Sequence, residues 1–273
     1  QENWHALIGV HGVQLEHQGE PDERLSLMHR VAELADDRAG DSALAFTWMQ
    51  RALLESPDDE HTQDEVERLA GVTGGWSVLA NTYADIASNG VGDSTKVTTA
   101  RKLARVYEEE LQDLHRAEET LRYVVGVERE DADALAALDR IYLANEAYSP
   151  LAEILRLRVS GAESDEERVE YSYRLGRVLE QNLGKVDEAI EIFSGILEKL
   201  DGQHAGTVAA LQDAYAAKQS WPELYRTYER ALDIAYGDSE QSDLLARMAD
   251  LSSRHLEKPE QAIELWDRVL DLR

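Results

Sequence analysis

Basic side chains recur along this sequence at a fixed interval, and their chemistry suits carboxylate binding. One column, spaced 72, 72 and 73 residues apart, holds Arg30, Lys102, Arg174 and Arg247. A second column holds Arg24, Lys96 and Arg168, with Gln241 at the fourth position, and Arg105 and Arg177 each follow the first column by three residues. A guanidinium can donate two parallel hydrogen bonds to a carboxylate, so these columns could bind acidic groups of a partner. Alternatively, each base pairs with Glu or Asp on a neighbouring helix, which at a surface contributes only ~0–1 kcal/mol.

The histidines do not form a recognisable metal or catalytic motif. His5, His11 and His17 are six residues apart. On a helix that spacing is a rotation of about 600°, so successive rings point about 120° apart and cannot share one ion. The His-Glu-x-x-His motif of zinc proteases is absent from the sequence. We therefore predict no metal site.

Acidic pairs such as Glu118-Glu119 carry little information, because the chain has 55 acidic residues and produces pairs by chance. A catalytic pair would also need a pocket that tunes the two pKa values. The glycine-containing loop from Asn89 to Ser94 lacks the Gly-Lys-Ser/Thr ending of a phosphate-binding loop. We expect no catalytic residues, no cofactor and no enzymatic activity.

The composition narrows the possible partners. The 55 acidic residues face 28 basic ones, for a formal net charge of −27. Such a surface repels phosphate backbones and anionic lipids, so we expect a protein or peptide partner rather than nucleic acid, a membrane or a small-molecule substrate. There is no cysteine, and no apolar run approaches the ~18 residues of a membrane span. These absences, and a start without Met or a leader, suggest a cytoplasmic protein of which this chain is a fragment.

The basic columns belong to a longer internal repeat. Aromatic residues at the same interval are Trp4, Trp76, Tyr148 and Trp221, each followed three residues later by Leu7, Leu79, Leu151 and Leu224. Apolar residues directly after the first basic column are Val31, Leu103, Leu175 and Met248, followed in turn by Ala32, Ala104, Gly176 and Ala249. Another small-residue column holds Ala45, Ala117, Ala189 and Ala262. So many columns in one register indicate a repeat architecture.

Each period contains four helices. Between Tyr148 and Ser220, apolar residues recur three and four positions apart in four separate sets, which indicates four helices with one buried stripe each. Four helices in 72 residues form two helical hairpins of about 36 residues. No alternating strand pattern is present, and the chain has only five prolines.

These residues resemble the tetratricopeptide repeat, whose pattern pairs a Trp-x-x-Leu-Gly-x-x-Tyr helix with an Ala-x-x-x-Phe helix and a closing Pro. The matching residues are Leu175-Gly176, Leu179, Ala189 and Phe193 in one unit, and Leu211, Tyr215, Trp221, Leu224, Tyr228 and Ala231 in the next. Asp201 stands where Pro is usual, Leu224 stands where the family has Ala, and the unit with Ala189 has one extra residue, which we place in its helix–helix turn.

The resemblance implies an all-α, right-handed α-solenoid of about seven antiparallel helix pairs, with first helices lining a concave face that binds peptides. It also implies that residues at the Arg174 position can face that groove. The family's full two-carboxylate clamp, with its Asn and Lys, is absent here. The predicted pairs cover residues 21–58, 60–91, 95–130, 132–163, 167–202, 204–237 and 241–273, with a leftover helix at 4–18 and one repeat array over 1–273.

The sequence therefore favours a scaffold that binds a partner protein or peptide along the groove of a helical repeat array. Two other functions remain open. The chain could be a regulatory segment of a larger multidomain enzyme or signalling protein, or an architectural spacer that self-assembles through its ends.

Overall fold

The computed structural model describes residues 4–90 and 92–272, and within them it forms fifteen helices and no strand. Their bounds are α1 (Trp4–His17), α2 (Pro21–Glu33), α3 (Ser42–Glu55), α4 (Glu60–Thr73), α5 (Trp76–Asn89), α6 (Asp93–Arg105), α7 (Leu114–Val127), α8 (Ala132–Ala144), α9 (Tyr148–Gly161), α10 (Asp165–Arg177), α11 (Val186–Lys199), α12 (Ala205–Ala217), α13 (Trp221–Ile234), α14 (Asp238–Arg254) and α15 (Pro259–Asp271). The predicted all-α fold is confirmed. The segment Gln1–Asn3, on which the fragment prediction partly rests, lies outside the described residues.

In the described part of the chain, the order of α2 to α15 fits seven consecutive helix pairs, with α1 before them. Contacts within a pair join α2 to α3, α4 to α5, α6 to α7, α10 to α11, α12 to α13 and α14 to α15. The predicted bounds of the pairs stay a prediction. We call the even-numbered helices first helices and the odd-numbered ones second helices. The contacts divide the chain into two compact units, up to Leu138 and from Asp139 onwards, with the boundary inside α8. That the whole chain is one continuous right-handed array stays a prediction.

The repeated apolar columns form the core of each unit. Leu79, Leu151 and Leu224 of the leucine column are buried, and so are Ala45, Ala117, Ala189 and Ala262. The apolar residue after each basic column position is buried as well, from Val31 to Met248. Because apolar burial contributes about 25 cal/mol per Å², these columns fix which face of each helix points inward.

Small residues allow the two helices of a pair to approach closely. Gly176 of α10 packs against Phe193 of α11, and a Cβ atom built on Gly176 would overlap the ring of Phe193. Ala104 occupies the Gly176 position one period earlier, and Leu121 occupies that of Phe193; both are buried. A larger residue on one helix is therefore matched by a smaller one on the other.

In three of the pairs, those of α2, α6 and α10, the extra residue lies inside the first helix, so our prediction that it lies in the helix–helix turn was wrong for them. α2, α6 and α10 each continue into a π-helical turn at Leu34–Arg38, Val106–Glu110 and Val178–Asn182. A π turn absorbs one more residue than an α turn without lengthening the connection to the next helix. In α14 the backbone stays α-helical to Arg254 and the connection from His255 to Lys258 is longer.

A left-handed residue ends each of these first helices. Gly40, Gln112, Gly184 and Glu257 occupy one column and all have positive φ, at 68°, 52°, 65° and 55°. Only glycine adopts this conformation without steric cost, so Gln112 and Glu257 hold strain that Gly40 and Gly184 do not.

We predict that Gly176→Ala lowers the free energy of unfolding by ~1–3 kcal/mol, because the added methyl group overpacks the contact with Phe193. Adding Phe193→Leu recreates the pairing of Ala104 with Leu121 and recovers part of the loss. Urea unfolding of the parent, the single variant and the double variant measures both effects. A single variant as stable as the parent contradicts the close approach.

We also predict opposite effects for two glycines of the same helix pair. Gly184→Ala destabilises by ~1–2 kcal/mol, because a Cβ clashes with the backbone at a φ of 65°. Gly195→Ala stabilises by ~0.5–1 kcal/mol, because Gly195 lies inside α11 with open space around its Cβ position. Thermal unfolding midpoints that move in the same direction would refute this assignment.

Candidate partner-binding surface

The first basic column lies on the first helices, beside the core. Arg30, Lys102, Arg174 and Arg247 each precede a buried apolar residue of α2, α6, α10 or α14. One residue turns a helix by about 100°, so each basic side chain emerges at the edge of the buried stripe. There it can reach the preceding first helix of the stack.

Arg174 binds Asp139, which lies 35 residues earlier on α8. Two guanidinium nitrogens of Arg174 donate to the two carboxylate oxygens of Asp139, at 2.8 and 2.7 Å. Only 5% of the Asp139 side chain is exposed, against 31% of Arg174. These hydrogen bonds raise the pKa of Arg174, with a further contribution from the negative charge of Glu170. Arg174 is therefore committed to an internal partner.

A second arginine shares the same carboxylate. Arg158 of α9 donates to Asp139 at 2.5 Å and to the hydroxyl of Tyr171 at 2.8 Å. Its guanidinium carbon also lies 4.1 Å from the centre of the Tyr171 ring, a cation–π distance. A buried carboxylate without such partners would cost several kcal/mol, so the two arginines make the burial of Asp139 possible.

Glu67 takes the place of Asp139 one period earlier. Its carboxylate on α4 accepts a hydrogen bond from the hydroxyl of Tyr83 at 2.9 Å and contacts Lys102 at 3.9 Å. Arg105 also donates to Glu67. Burial, followed by the charge of Glu67, raises the pKa of Tyr83. The chain thus provides an acid for Lys102 as it does for Arg174.

The series breaks at Arg247. The residue 35 positions earlier, on α12, is Gln212, a neutral amide that is only half-buried. Arg247 is exposed and forms no ion pair with any described residue. Arg30 of α2 is likewise exposed and without an ion pair in the described part of the chain. Lys102 and Arg174 therefore follow the internal-pairing interpretation of the column. Arg30 and Arg247 have no acidic partner among the described residues.

Side chains of the second basic column hydrogen-bond to the loops that precede the first helices. Arg24 donates to the backbone oxygen of Gln18 at 3.0 Å and binds Glu55 through two nitrogens. Arg168 donates to the oxygen of Ala162 at 3.2 Å, again six residues back, and to Asp165 at 2.7 Å.

Gln241, at the fourth position of this column, donates to the oxygen of Ala235 at 3.3 Å and so repeats the contact without a charge. The role of this column is therefore structural at these three positions. Lys96, the remaining member of the second column, is half-buried. Arg177, which follows the first column by three residues, lies 3.4 Å from Glu180 on its own helix.

Sequence reasoning missed a third column, one residue before the first. His29 and Arg101 occupy it in α2 and α6, and each contacts the acid that caps a later first helix. Arg101 donates to Asp131 at 2.5 Å, and Asp131 accepts from the backbone nitrogen of Ala134 at 2.8 Å. His29 lies 3.6 Å from the capping residue Asp59. The shared 72-residue interval of these residues was the signal that could have identified the contact.

The described residues hold no group of three or more histidine or acidic side chains placed to bind a metal ion. His11 hydrogen-bonds Gln14 on its own helix at 2.8 Å, whereas the side chain of His5 lies outside the described part. None of the helices in that part is both long and apolar enough to cross a bilayer.

Two segments of the chain match models of a known repeat family. Two models of the tetratricopeptide repeat match the chain, at residues 170–202 and 207–242. These segments contain the two units on which the resemblance was based, so it is confirmed there. No curated protein resembles the chain closely enough to count as a relative.

Solved structures that match the chain include tetratricopeptide proteins of low sequence identity. YrrB, described as having an unusual peptide-binding site, is 16% identical, with a TM-score of 0.42 over 71% of this chain and 93% of its own. A tetratricopeptide repeat protein from Parabacteroides merdae is 13% identical, with a TM-score of 0.39 over 91% and 93% of the two chains. The TPR2AB domain of yeast Sti1, in a complex with pHSP90, is 15% identical, with a TM-score of 0.38 over 92% and 91%.

The contact of His29 predicts a pH dependence of stability. Burial, reinforced by His61 and opposed by Asp59, lowers the pKa of His29 below its ordinary value of 6.5. At acidic pH the unfolded chain then binds more protons than the folded one. The contribution of His29 to stability is therefore fully present above about pH 6.5 and is lost as the pH falls towards the lower pKa that His29 has in the folded state. We predict that His29→Gln flattens the unfolding free energy between pH 7 and 5.5. His115→Gln, at an exposed position on α7, is the control and should keep the parent slope.

Proposed function

We propose that this tetratricopeptide-repeat protein is a non-catalytic scaffold that binds a partner protein or peptide along a groove lined by its first helices. The tetratricopeptide fold is typically an interaction scaffold, and this chain carries it in two matched repeats. The proposal leaves no role for a cofactor, a metal ion or a small-molecule substrate.

The observation that carries the proposal is the unpaired base at Arg247. At equivalent positions Lys102 and Arg174 are neutralised by Glu67 and Asp139, whereas the residue 35 positions before Arg247 is the neutral Gln212. A carboxylate of a bound partner can occupy the place that the internal acid has in the other repeats. Arg247 keeps its two parallel donors available for such a contact.

The remaining surface favours the same class of partner. With a net charge of −27, the chain attracts basic segments over a distance and repels nucleic acid and anionic lipid. A partner that carries a basic surface and a few carboxylates would therefore be steered by its basic groups and positioned by its acidic ones.

A second candidate function, self-assembly, is favoured by one observation on the last helix. Ile263, Trp266 and Leu270 of α15 form an apolar stripe and are exposed. At the position of Trp266 the earlier pairs carry the buried residues Met49, Leu121 and Phe193. An uncovered stripe of this kind could contact another molecule of the same chain.

The decisive variants are Arg30→Glu and Arg247→Glu, made separately and together. Lys102 and Arg174 should be left intact, because reversing either would place two carboxylates against each other at Glu67 or Asp139. A partner is first captured from a lysate of the source cells and identified by mass spectrometry. Its affinity for each variant is then measured by titration calorimetry.

We expect at least one of the two single variants to weaken binding about tenfold, the loss of one charge-assisted contact of about 1.4 kcal/mol. The control replaces two exposed arginines of second helices, Arg122→Glu and Arg268→Glu, and adds the same charge. Equal affinity of Arg30→Glu/Arg247→Glu and the control would remove the basic column from the binding site. Failure to capture any partner would favour self-assembly.

A further inference from the structure

A cavity of about 250 Å³ lies between α11, α12 and α13, inside the second compact unit. Its apolar part consists of Leu197 and Leu211, which are buried, and of the half-buried Tyr215. Its polar part comes mainly from one face of α13, where Arg226 and Arg230 lie one helical turn apart. Pockets for drug-sized ligands have about 300–1,000 Å³, so this cavity suits an occupant of the size of one amino acid.

The corresponding place in the first compact unit shows why this space is open. Two periods earlier, Gln50 of α3 stands at the position of Ser194, and Thr82 of α5 stands at that of Thr227. The amide of Gln50 donates to the hydroxyl of Thr82 at 3.2 Å and so bridges the two helices. Serine is too short for this bridge, and in the described part of the chain the Thr227 hydroxyl is bound only to a backbone oxygen of its own helix, at 2.8 Å.

The charges at this place also differ between the two units. Arg226 and Arg230 stand where the first unit has Asn81 and Asp85. Neither arginine forms an ion pair or a hydrogen bond with a described residue, although the chain contains 55 acidic residues. Two cations at positions i and i+4 of a helix repel each other. That repulsion is relieved when one anion accepts hydrogen bonds from both guanidinium groups.

Two glutamates limit the charge that such an anion can carry. Glu198 and Glu223 also line the cavity, and neither lies within ion-pair distance of Arg226 or Arg230. Their carboxylates repel a phosphate or a dicarboxylate more strongly than a single carboxylate. A ligand with one negative charge therefore matches the cavity better than one with two.

We propose that this space, which we call the α11–α13 cavity, binds one carboxylate on a short apolar stem. Arg226 and Arg230 donate to the carboxylate, and the two leucines and the ring of Tyr215 contact the stem. The ligand is a small free acid or the C-terminal residue of a peptide, since both present the same group. The cavity contains no member of the basic columns, so it can bind its ligand whether or not a partner binds at Arg247.

The test is an NMR titration of the isotope-labelled full chain with N-acetyl-leucine. We expect saturable shifts of α11 and α13 signals with a Kd of about 1 mM. N-acetyl-leucine amide, which has no charge, and acetate, which has no stem, should each bind at least about tenfold more weakly. A glycine-rich pentapeptide with a C-terminal leucine distinguishes the two sources. If it binds as well as N-acetyl-leucine, the site accepts chain termini, and if it binds at least about tenfold more weakly, the site is one for small acids.

Two variants test the cavity itself. Ser194→Gln should restore the bridge seen at Gln50 and abolish binding, because the amide fills the space between the helices. Arg226→Gln/Arg230→Gln should weaken binding at least about tenfold and remove most of its dependence on salt. Both variants change half-buried or exposed side chains, so the chain should stay folded, which circular dichroism checks.

The matched control is Arg122→Gln/Arg268→Gln, which removes the same charge from exposed positions of α7 and α15 and should bind like the parent. The proposal is overturned if no saturable shift occurs up to about 20 mM N-acetyl-leucine, or if the uncharged amide binds as tightly as the acid. It is also overturned if folded Ser194→Gln binds like the parent, because the ligand would then lie elsewhere. Equal weakening by the control and by Arg226→Gln/Arg230→Gln would overturn it as well, since net charge alone would account for the effect.

Discussion

The burial of one apolar residue on each first helix fixes the geometry of everything beside it. Val31, Leu103, Leu175 and Met248 point into the core, so the residue before each one emerges at the same edge of its helix. Small residues next to them, such as Gly176 against Phe193, set how closely the two helices of a pair approach. With direction and spacing both fixed, the basic side chains Lys102 and Arg174 meet the acids that the previous first helix carries 35 residues earlier, Glu67 and Asp139. At Arg247 the residue at the same spacing is the amide Gln212, so no acid is supplied there.

The sequence was sufficient to predict the period, the helices and most of the core. Those features depend on local periodicity and on columns that can be counted along the chain. The π turns after α2, α6 and α10 were not predictable in this way, because one extra residue fits equally well in a turn or in a widened helical turn. The choice depends on how the end of the helix packs, which is a tertiary effect.

The ion pairs show the same limit. That Arg174 binds an internal acid was one of two open interpretations, and the sequence offered many acids for it. The involvement of Arg158 could not be predicted, because it comes from a second helix whose position at the Asp139 side chain is defined only by the folded pair. The roles of Arg24 and Arg168 also became visible only when their carbonyl partners six residues back were seen.

We infer that the basic column is neutralised internally at Arg174 and available at Arg247. A pair of double-mutant cycles tests this most directly. One combines Asp139→Asn with Arg174→Met, and the other combines Gln212→Met with Arg247→Met; chemical denaturation measures the coupling energy of each pair. We predict a coupling of about 1–3 kcal/mol for the buried Asp139–Arg174 pair and less than about 0.5 kcal/mol for Gln212–Arg247. Equal coupling energies in the two cycles would contradict it, because Arg247 would then be held within the fold as firmly as Arg174.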